Sequence, residues 1–263
     1  MKIREVTDVI ERFAPLSLQE SYDNSGLIVG RPDDEVHKAL LAVDVTDEVM
    51  DEAESEGCDM IITHHPIIFH ALKRFNSASN VERCVERAIR KGIALYACHT
   101  NLDSTPHGMS WRLAEMLGIE NLQVLQPSPQ TEGAGFGTVG ELPQPQPTLG
   151  FLRHVARVTG CRAVRYSDVA LSEVRRVAVC TGAGASLIGD AERAGAELYI
   201  TADLKYNDFT PRASGRLTVA DIGHFESEYC AIRILFEVLS KNLITFAVRE
   251  SEHSRNPVNY LTE

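Results

Sequence analysis

Short apolar runs alternate with helical patterns along the first hundred residues. The runs of strand length cover residues 39–43, 60–62 and 94–97. Residues 3–13, 47–56 and 81–91 instead carry apolar side chains at helical spacing. Thr46 is a candidate N-cap for the second of these helices, and Gly92 lies just beyond the end of the third. Strands separated by helices predict a parallel sheet that is covered on both faces.

The same pattern restarts in the second half of the chain. Strands are predicted over 174–180, 197–200 and 217–220, and a helix is predicted over 185–194. Residues 125–147 are rich in Pro, Gln and Gly and are interpreted as a connection between the halves. The prediction is an α/β protein of two similar lobes with mainly parallel sheets. The first lobe covers 1–126 and the second 127–263, with a C-terminal tail that is free to pack back on the first lobe.

Parts of the two halves match each other in sequence. Residues 57–63 (Gly-Cys-Asp-Met-Ile-Ile-Thr) align with residues 195–201 (Gly-Ala-Glu-Leu-Tyr-Ile-Thr). Two copies of one α/β unit are the simplest explanation. Since open α/β sheets place their sites at the carboxyl ends of strands, the cleft between the copies is the predicted active site.

Polar side chains of metal-ligand type follow several of these strands. His64 and His65 end one strand and precede Pro66, and a histidine precedes a carboxylate by four residues in two later places. The candidate metal ligands are His64, His65, Asp103, His224 and Glu228. Adjacent histidines alone are also typical of locally hydrogen-bonded residues, so the recurrence of the pattern carries the prediction.

Five such ligands are too many for one catalytic zinc, which typically keeps three protein ligands. They fit two divalent ions about 3.5 to 4 Å apart, the arrangement used in two-metal hydrolysis. Glu228 is the candidate bridge between the ions. His99 is either a further ligand or a residue that orients Asp103, and the second interpretation is favoured. Mixed His and carboxylate ligation suits zinc, iron, manganese or nickel.

A small-residue segment follows the strand at 174–180. Residues 181–186 (Thr-Gly-Ala-Gly-Ala-Ser) could cradle an anion with their backbone amides. A tight turn that packs helix on strand is equally compatible with these residues. Both interpretations stay open.

Composition excludes several function classes. The chain has 263 residues, 44% hydrophobic residues and a formal charge of -11, which is typical of a globular protein and argues against nucleic-acid binding. No apolar run reaches the roughly 18 residues of a membrane span, and the start does not resemble a secretory leader. Six cysteines without a C-x-x-C pair are typical of reduced, buried thiols. A cytoplasmic protein with a small-molecule substrate is expected.

Four motifs together resemble a known family. They are 21–27 (Ser-Tyr-Asp-Asn-Ser-Gly-Leu), 63–69 (Thr-His-His-Pro-Ile-Ile-Phe), 99–103 (His-Thr-Asn-Leu-Asp) and 223–228 (Gly-His-Phe-Glu-Ser-Glu). In this order along the chain, they resemble the GTP cyclohydrolase I type 2-like proteins, also called the NGG-interacting factor three-like family.

The resemblance implies a two-lobed α/β fold with a dinuclear metal centre, assembled as a ring-shaped hexamer. His64 and Asp103 would hold one metal, His65 and His224 the other, and Glu228 would be shared. The implied activity is opening of the guanine imidazole ring of GTP with release of formate, for which Glu228 and His99 are the candidate catalytic residues.

The sequence departs from the family pattern at two places. Residues 201–207 read Thr-Ala-Asp-Leu-Lys-Tyr-Asn, so that Asn207 replaces a usual histidine, and Tyr22 replaces a usual tryptophan. Lys205 or the Gly182/Gly184 loop is a candidate holder of the triphosphate. The alternatives are a metal-binding adaptor without turnover and a hydrolase of a different phosphoester or cyclic amide.

Overall fold

The structure is a computed structural model that describes residues 1–211 and 214–261. The α-helices among these residues are α1 (Ile3–Phe13), α2 (Asp47–Ser55), α3 (Asn80–Lys91), α4 (Thr100–Ser104), α5 (Met109–Met116), α6 (Thr148–Thr159), α7 (Ile188–Arg193), α8 (His224–Glu228) and α9 (Cys230–Asn242). Short 3-10 helices cover Leu16–Leu18, Ala185–Leu187 and Tyr206–Phe209. The strands are β1 (Gly26–Val29), β2 (Lys38–Ala42), β3 (Met60–Thr63), β4 (Ala94–Ala97), β5 (Glu120–Pro127), β6 (Gly135–Pro147), β7 (Arg165–Tyr166), β8 (Glu173–Ala183), β9 (Leu198–Ala202), β10 (Thr218–Asp221) and β11 (Ala247–Glu250).

These elements form two compact units, each with its own sheet. The first unit contains Met1–Thr105 and Ala231–Arg255, and the second contains Pro106–Cys230 and Asn256–Glu263. The fold is therefore mixed α/β. The expected division into lobes at residue 126 stays a prediction. Within residues 1–211 and 214–261, no helix combines the length and apolar character needed to cross a bilayer.

The sheet of the first unit is parallel except at one edge. Its strand order is β1-β4-β3-β2-β11, and only β1 runs antiparallel to its neighbour. β3 pairs with β4 so that Thr63 lies opposite Ala97. Since both strands end at this register position, the residues that follow them emerge at the same edge of the sheet. Leu40, Ile61 and Leu95 are buried on the sheet in a cluster with Val49 and Met50 of α2.

The sheet of the second unit is mixed, so the expectation of a mainly parallel sheet is wrong here. Its order is β5-β6-β8-β9-β10-β7, with parallel pairs only at β8–β9 and β9–β10. The hydrophobic pattern predicts β8, β9 and β10, because each of these strands contains a continuous run of buried residues. The antiparallel edge strands lie in polar sequence, and β7 has only two residues.

Residues 125–147 form a strand pair rather than the expected connection. β5 and β6 pair antiparallel, and β6 continues to β8. Gly140 permits this pairing, because a Cβ there would lie 2.4 Å from the carbonyl oxygen of Glu120. The prolines that suggested a linker occupy the exposed end of β6, where pairing to β5 has ended and pairing is to β8 alone. Proline is compatible with such an edge, since one side of the strand needs no N–H donor.

Local signals in the first unit are confirmed. The Thr46 side chain accepts a hydrogen bond from the Val49 amide at 3.2 Å, which caps α2. Gly92 ends α3 in the left-handed conformation at φ 68°. Gly57 and Gly195, which open the matched segments, also have positive φ, at 64° and 73°. Each follows a helix and precedes a central strand.

Candidate metal centre

Three imidazoles of the first unit follow neighbouring strands. His64 and His65 come directly after β3, and His99 follows β4 and precedes α4. Their ligand nitrogens all lie within 4.8 Å of one another. Asp103 sits on α4, and one of its carboxylate oxygens lies 3.9 Å from Nε2 of His64. The shared edge of the sheet thus brings a cluster of imidazoles and a carboxylate together.

The ring orientations of His64 and His65 are fixed by oxygen acceptors at Nδ1. Nδ1 of His64 lies 2.8 Å from the carbonyl oxygen of Cys98, which can only accept, so this nitrogen carries the proton. Nδ1 of His65 lies 2.8 Å from a carboxylate oxygen of Asp44. In both rings Nε2 is then the basic nitrogen. This is the tautomer that binds a metal through Nε2.

His99 is held in the same way by a buried carboxylate. Its Nδ1 lies 2.7 Å from Asp23, which also accepts hydrogen bonds from the amide and hydroxyl of Thr100. Burial raises the pKa of Asp23, but the hydrogen bonds from His99 and Thr100 outweigh it and hold that pKa well below its usual range. The ionised carboxylate therefore accepts the Nδ1 proton of His99.

The second unit presents a histidine and a glutamate on one short helix. His224 and Glu228 lie four residues apart on α8, and Nε2 of His224 is 3.0 Å from the Glu228 carboxylate. Nδ1 of His224 is 2.9 Å from Asp203, which follows β9. The side chain of Glu228 is 4% exposed, whereas that of His224 is 34% exposed.

The two carboxylates change the acidity of His224. Burial lowers the pKa of His224, but the hydrogen bonds and negative charges of Glu228 and Asp203 raise it to about 9. At neutral pH the imidazole is thus protonated between them. Nε2 of His224 and the Glu228 carboxylate would hold a divalent cation in competition with this proton.

Gly182 makes room for the Glu228 carboxylate. It has φ 64°, and a Cβ at this position would lie 2.3 Å from Oε1 of Glu228. Its amide donates to the hydroxyl of Ser227 at 2.9 Å, and the amide of Gly184 donates to the hydroxyl of Thr201 at 3.0 Å. These two amides serve internal acceptors, which favours the packing-turn interpretation of this loop.

The donor set of the two units fits divalent metal ions. Four imidazoles have their Nδ1 atoms hydrogen-bonded to oxygen, and two carboxylates accompany them. Such nitrogen and oxygen donors suit zinc, iron, manganese or nickel. The structure therefore contains histidine and glutamate groups that could bind a metal. The assignment of His64, His65, Asp103, His224 and Glu228 as ligands stays a prediction.

Sequence reasoning missed the residues that orient the histidines. Asp44 is the second residue after the end of β2, and Asp203 is the first residue after the end of β9. Asp23 was interpreted from its local sequence only as part of a turn. The available signal was a carboxylate just beyond a predicted strand end, at the edge where the histidines emerge. A ring nitrogen of His99 lies with those of His64 and His65, and its Nδ1 lies on Asp23. Its role, as a ligand or as a residue that orients Asp103, stays a prediction.

The sequence matches a protein-family model over nearly its whole length. The model described as Duf34/NIF3 (NGG1p interacting factor 3) matches residues 1–257. The chain belongs to the Duf34/NIF3 family. This confirms the resemblance seen in the four motifs.

Two curated relatives match over most of their length. A Clostridium perfringens protein named GTP cyclohydrolase 1 type 2 homolog is 32% identical over 264 residues, which is 99% of this chain and 100% of the relative. A Lactococcus lactis protein of the same name is 30% identical over 98% of each chain.

Solved structures share the fold. A Bacillus cereus protein related to NIF3 superposes with a TM-score of 0.90 at 23% identity, covering 99% of both chains. Reduced HcgD from Methanocaldococcus jannaschii gives a TM-score of 0.79 at 28% identity, covering 96% of this chain and 98% of that one. The NIF3 fold therefore accounts for essentially the whole chain.

Proposed function

We propose that this NIF3 protein is a hydrolase that requires two divalent metal ions. His64 and Asp103 would hold one ion, His65 and His224 the other, and Glu228 would be shared between them. The ions are zinc, iron, manganese or nickel by the chemistry of these donors.

The main support is the uniform orientation of the imidazoles. Nδ1 of each lies within hydrogen-bond distance of an oxygen acceptor, and this contact orients the ring so that Nε2 is the nitrogen that would bind a metal. Histidines kept only for packing have no need of an oxygen acceptor at Nδ1 in four places. Ring orientation by a carboxylate or carbonyl raises ligand basicity and lowers the cost of ordering the side chain.

The chain supplies a candidate base beside the ligands. Asp23 holds the Nδ1 proton of His99, so Nε2 of His99 can accept a proton from water during hydrolysis. Divalent ions, when bound, would act as Lewis acids that activate water and stabilise developing negative charge. His99 would then hold the proton until it passes to the leaving group.

GTP is the first substrate to test. The curated relatives carry the name GTP cyclohydrolase 1 type 2 homolog. The activity that the family resemblance implies is opening of the guanine imidazole ring with release of formate. A dinuclear hydrolytic centre also suits phosphoesters and cyclic amides, so these belong in the same assay.

The test is hydrolysis by protein loaded with each of the four metals, using GTP, phosphoesters and cyclic amides as substrates. Formate release from GTP by the unmodified protein is expected. Glu228→Gln should abolish hydrolysis and reduce the bound metal, because the amide cannot supply a shared anionic oxygen. His99→Gln should lower the rate by about 10²–10⁴-fold while metal content is retained, since a positioned base contributes this much.

Each outcome distinguishes a different failure. A Glu228→Gln protein that hydrolyses normally with less than one metal per chain contradicts the proposal. Full metal binding without turnover of any substrate favours the adaptor interpretation.

A further inference from the structure

Two large aromatic side chains of the first unit are exposed beside the imidazole cluster. Tyr22 is 64% exposed and Phe69 is 40% exposed. Their ring centroids are 6.4 Å apart and the planes meet at 64°, an edge-to-face contact. Phe69 also lies edge-to-face against His99, with ring centroids 5.9 Å apart. The pair, here called the aromatic rim, therefore extends from the surface to a ring of the candidate centre.

The aromatic rim is anchored by the same residues that position His99. Asp23, the neighbour of Tyr22 in the chain, accepts from the His99 imidazole. Asn24 donates its side-chain amide to the carbonyl oxygen of Ile68 at 2.7 Å, which ties the segment of Tyr22 to the residue before Phe69. The segments that carry the two rings are thus hydrogen-bonded to each other and, through Asp23, to His99. Such preorganisation is typical of a binding surface, because little ordering is needed when a ligand arrives.

We propose that Tyr22 and Phe69 form a stacking site for a flat aromatic ring of the substrate, next to His99. The identity of that ring as a purine base rests on the proposed function. The Tyr22 side chain is 64% exposed and therefore accessible to a ligand. Offset stacking on an accessible aromatic ring favours planar heterocycles. The aromatic rim would hold the base while the ligands of the centre face the bond to be broken.

A stacking site has a defined energetic signature. Removal of one aromatic partner weakens the binding of a stacked base by about tenfold or more. Stacking requires the aromatic ring and not the hydroxyl group. The Tyr22→Phe variant should therefore bind the base as tightly as the unmodified protein does. A ligand without a base should be insensitive to either residue.

The experiment measures binding of GMP and of ribose 5-phosphate by calorimetry, with zinc-loaded and metal-free protein. The variants are Tyr22→Leu, Phe69→Leu and Tyr22→Phe, with Phe75→Leu as the matched control, since Phe75 is 53% exposed on the same unit. GMP affinity should fall about tenfold in Tyr22→Leu and in Phe69→Leu. It should be unchanged in Tyr22→Phe and Phe75→Leu, with equal zinc content throughout.

Three results would overturn the stacking site. They are equal GMP affinity in all variants, an equal loss of ribose 5-phosphate binding, and no GMP binding by unmodified protein at millimolar concentration. A fourth contrary result is a change of molar mass in Tyr22→Leu by light scattering with GMP affinity unchanged, which would make the aromatic rim a contact between copies of the chain. GMP binding that depends on the aromatic rings, without any turnover, would contradict the proposed hydrolase and support the stacking site. Turnover of GTP with GMP binding that does not depend on these rings would support the hydrolase and contradict the stacking site.

Discussion

At the scale of single residues, one oxygen acceptor fixes each histidine of the candidate centre. Asp44, Asp23 and Asp203 and the Cys98 carbonyl each bind one Nδ1. The candidate ligands were visible in the sequence because histidines and carboxylates follow strands. Their partners were not recognised, because Asp44 and Asp203 also lie just beyond strand ends but only the fold shows which ring each of them meets.

Gly182→Ala tests the space around Glu228. Alanine at φ 64° is strained, and its Cβ would meet the Glu228 carboxylate. The unfolding free energy of the metal-free protein should fall by about 1–3 kcal/mol, and bound metal should decrease. Urea denaturation and metal analysis measure both. Gly189→Ala is the control, since Gly189 is exposed on α7 and lacks a positive φ, so the free energy should change by less than about 1 kcal/mol.

The raised pKa of His224 predicts a pH dependence of the metal-free protein. The folded value is about 9 and the ordinary value is 6.5, so the folded state holds a proton that the unfolded state loses first. The stabilisation is complete below pH 6.5 and is lost as the pH rises through 9. Urea unfolding between pH 6 and 9.5 should show a steeper loss in the unmodified protein than in His224→Gln. Parallel curves for the two proteins would contradict this assignment.

At the scale of elements, the buried parallel strands were predictable, whereas the antiparallel strands β5, β6 and β7 were not. β3 and β4 are continuous apolar runs, so their pattern reports burial directly. The last five residues of β6 alternate proline with glutamine. This sequence is tolerated because that end of the strand is exposed and pairs on one side only. This part of β6 resembles a linker because proline has no N–H donor and is tolerated where one side of a strand is unpaired.

A buried glutamate of α2 binds the segment that directly follows β11. Glu52 accepts hydrogen bonds from the Ser251 hydroxyl and from the amides of Glu252 and His253. Glu52→Ala should lower the unfolding free energy by about 1–3 kcal/mol, since these buried donors lose their acceptor. Urea denaturation measures the change. Glu48→Ala, exposed on the same helix, should change it by about 0.5 kcal/mol or less.

The same carboxylate gives the sign of an acid effect. Burial raises the pKa of Glu52, but the hydrogen bonds from Ser251, Glu252 and His253 lower it overall. Its stabilisation is therefore present above pH 4.5 and is lost as the pH falls through the lower folded value. A Glu52→Ala protein that loses stability in acid as steeply as the unmodified protein would contradict this account.

At the scale of the whole molecule, the two units each carry part of the proposed ligand set. His64, His65 and Asp103 belong to the first unit, and His224 and Glu228 to the second. We propose that they form one dinuclear centre and that the protein assembles as a hexameric ring, as the family resemblance implies. Sequence alone gave the ligand types through the repeated strand-end pattern, but the metal number depends on side chains far apart in the chain.

The metal content of protein purified without chelator tests this centre most directly. Elemental analysis after loading with excess zinc or manganese should give two ions per chain. His65→Ala and Glu228→Gln should each hold fewer than two, because they remove a ligand from one ion and the shared ligand respectively. One ion or fewer per unmodified chain, or two ions per chain in Glu228→Gln, would contradict the dinuclear centre.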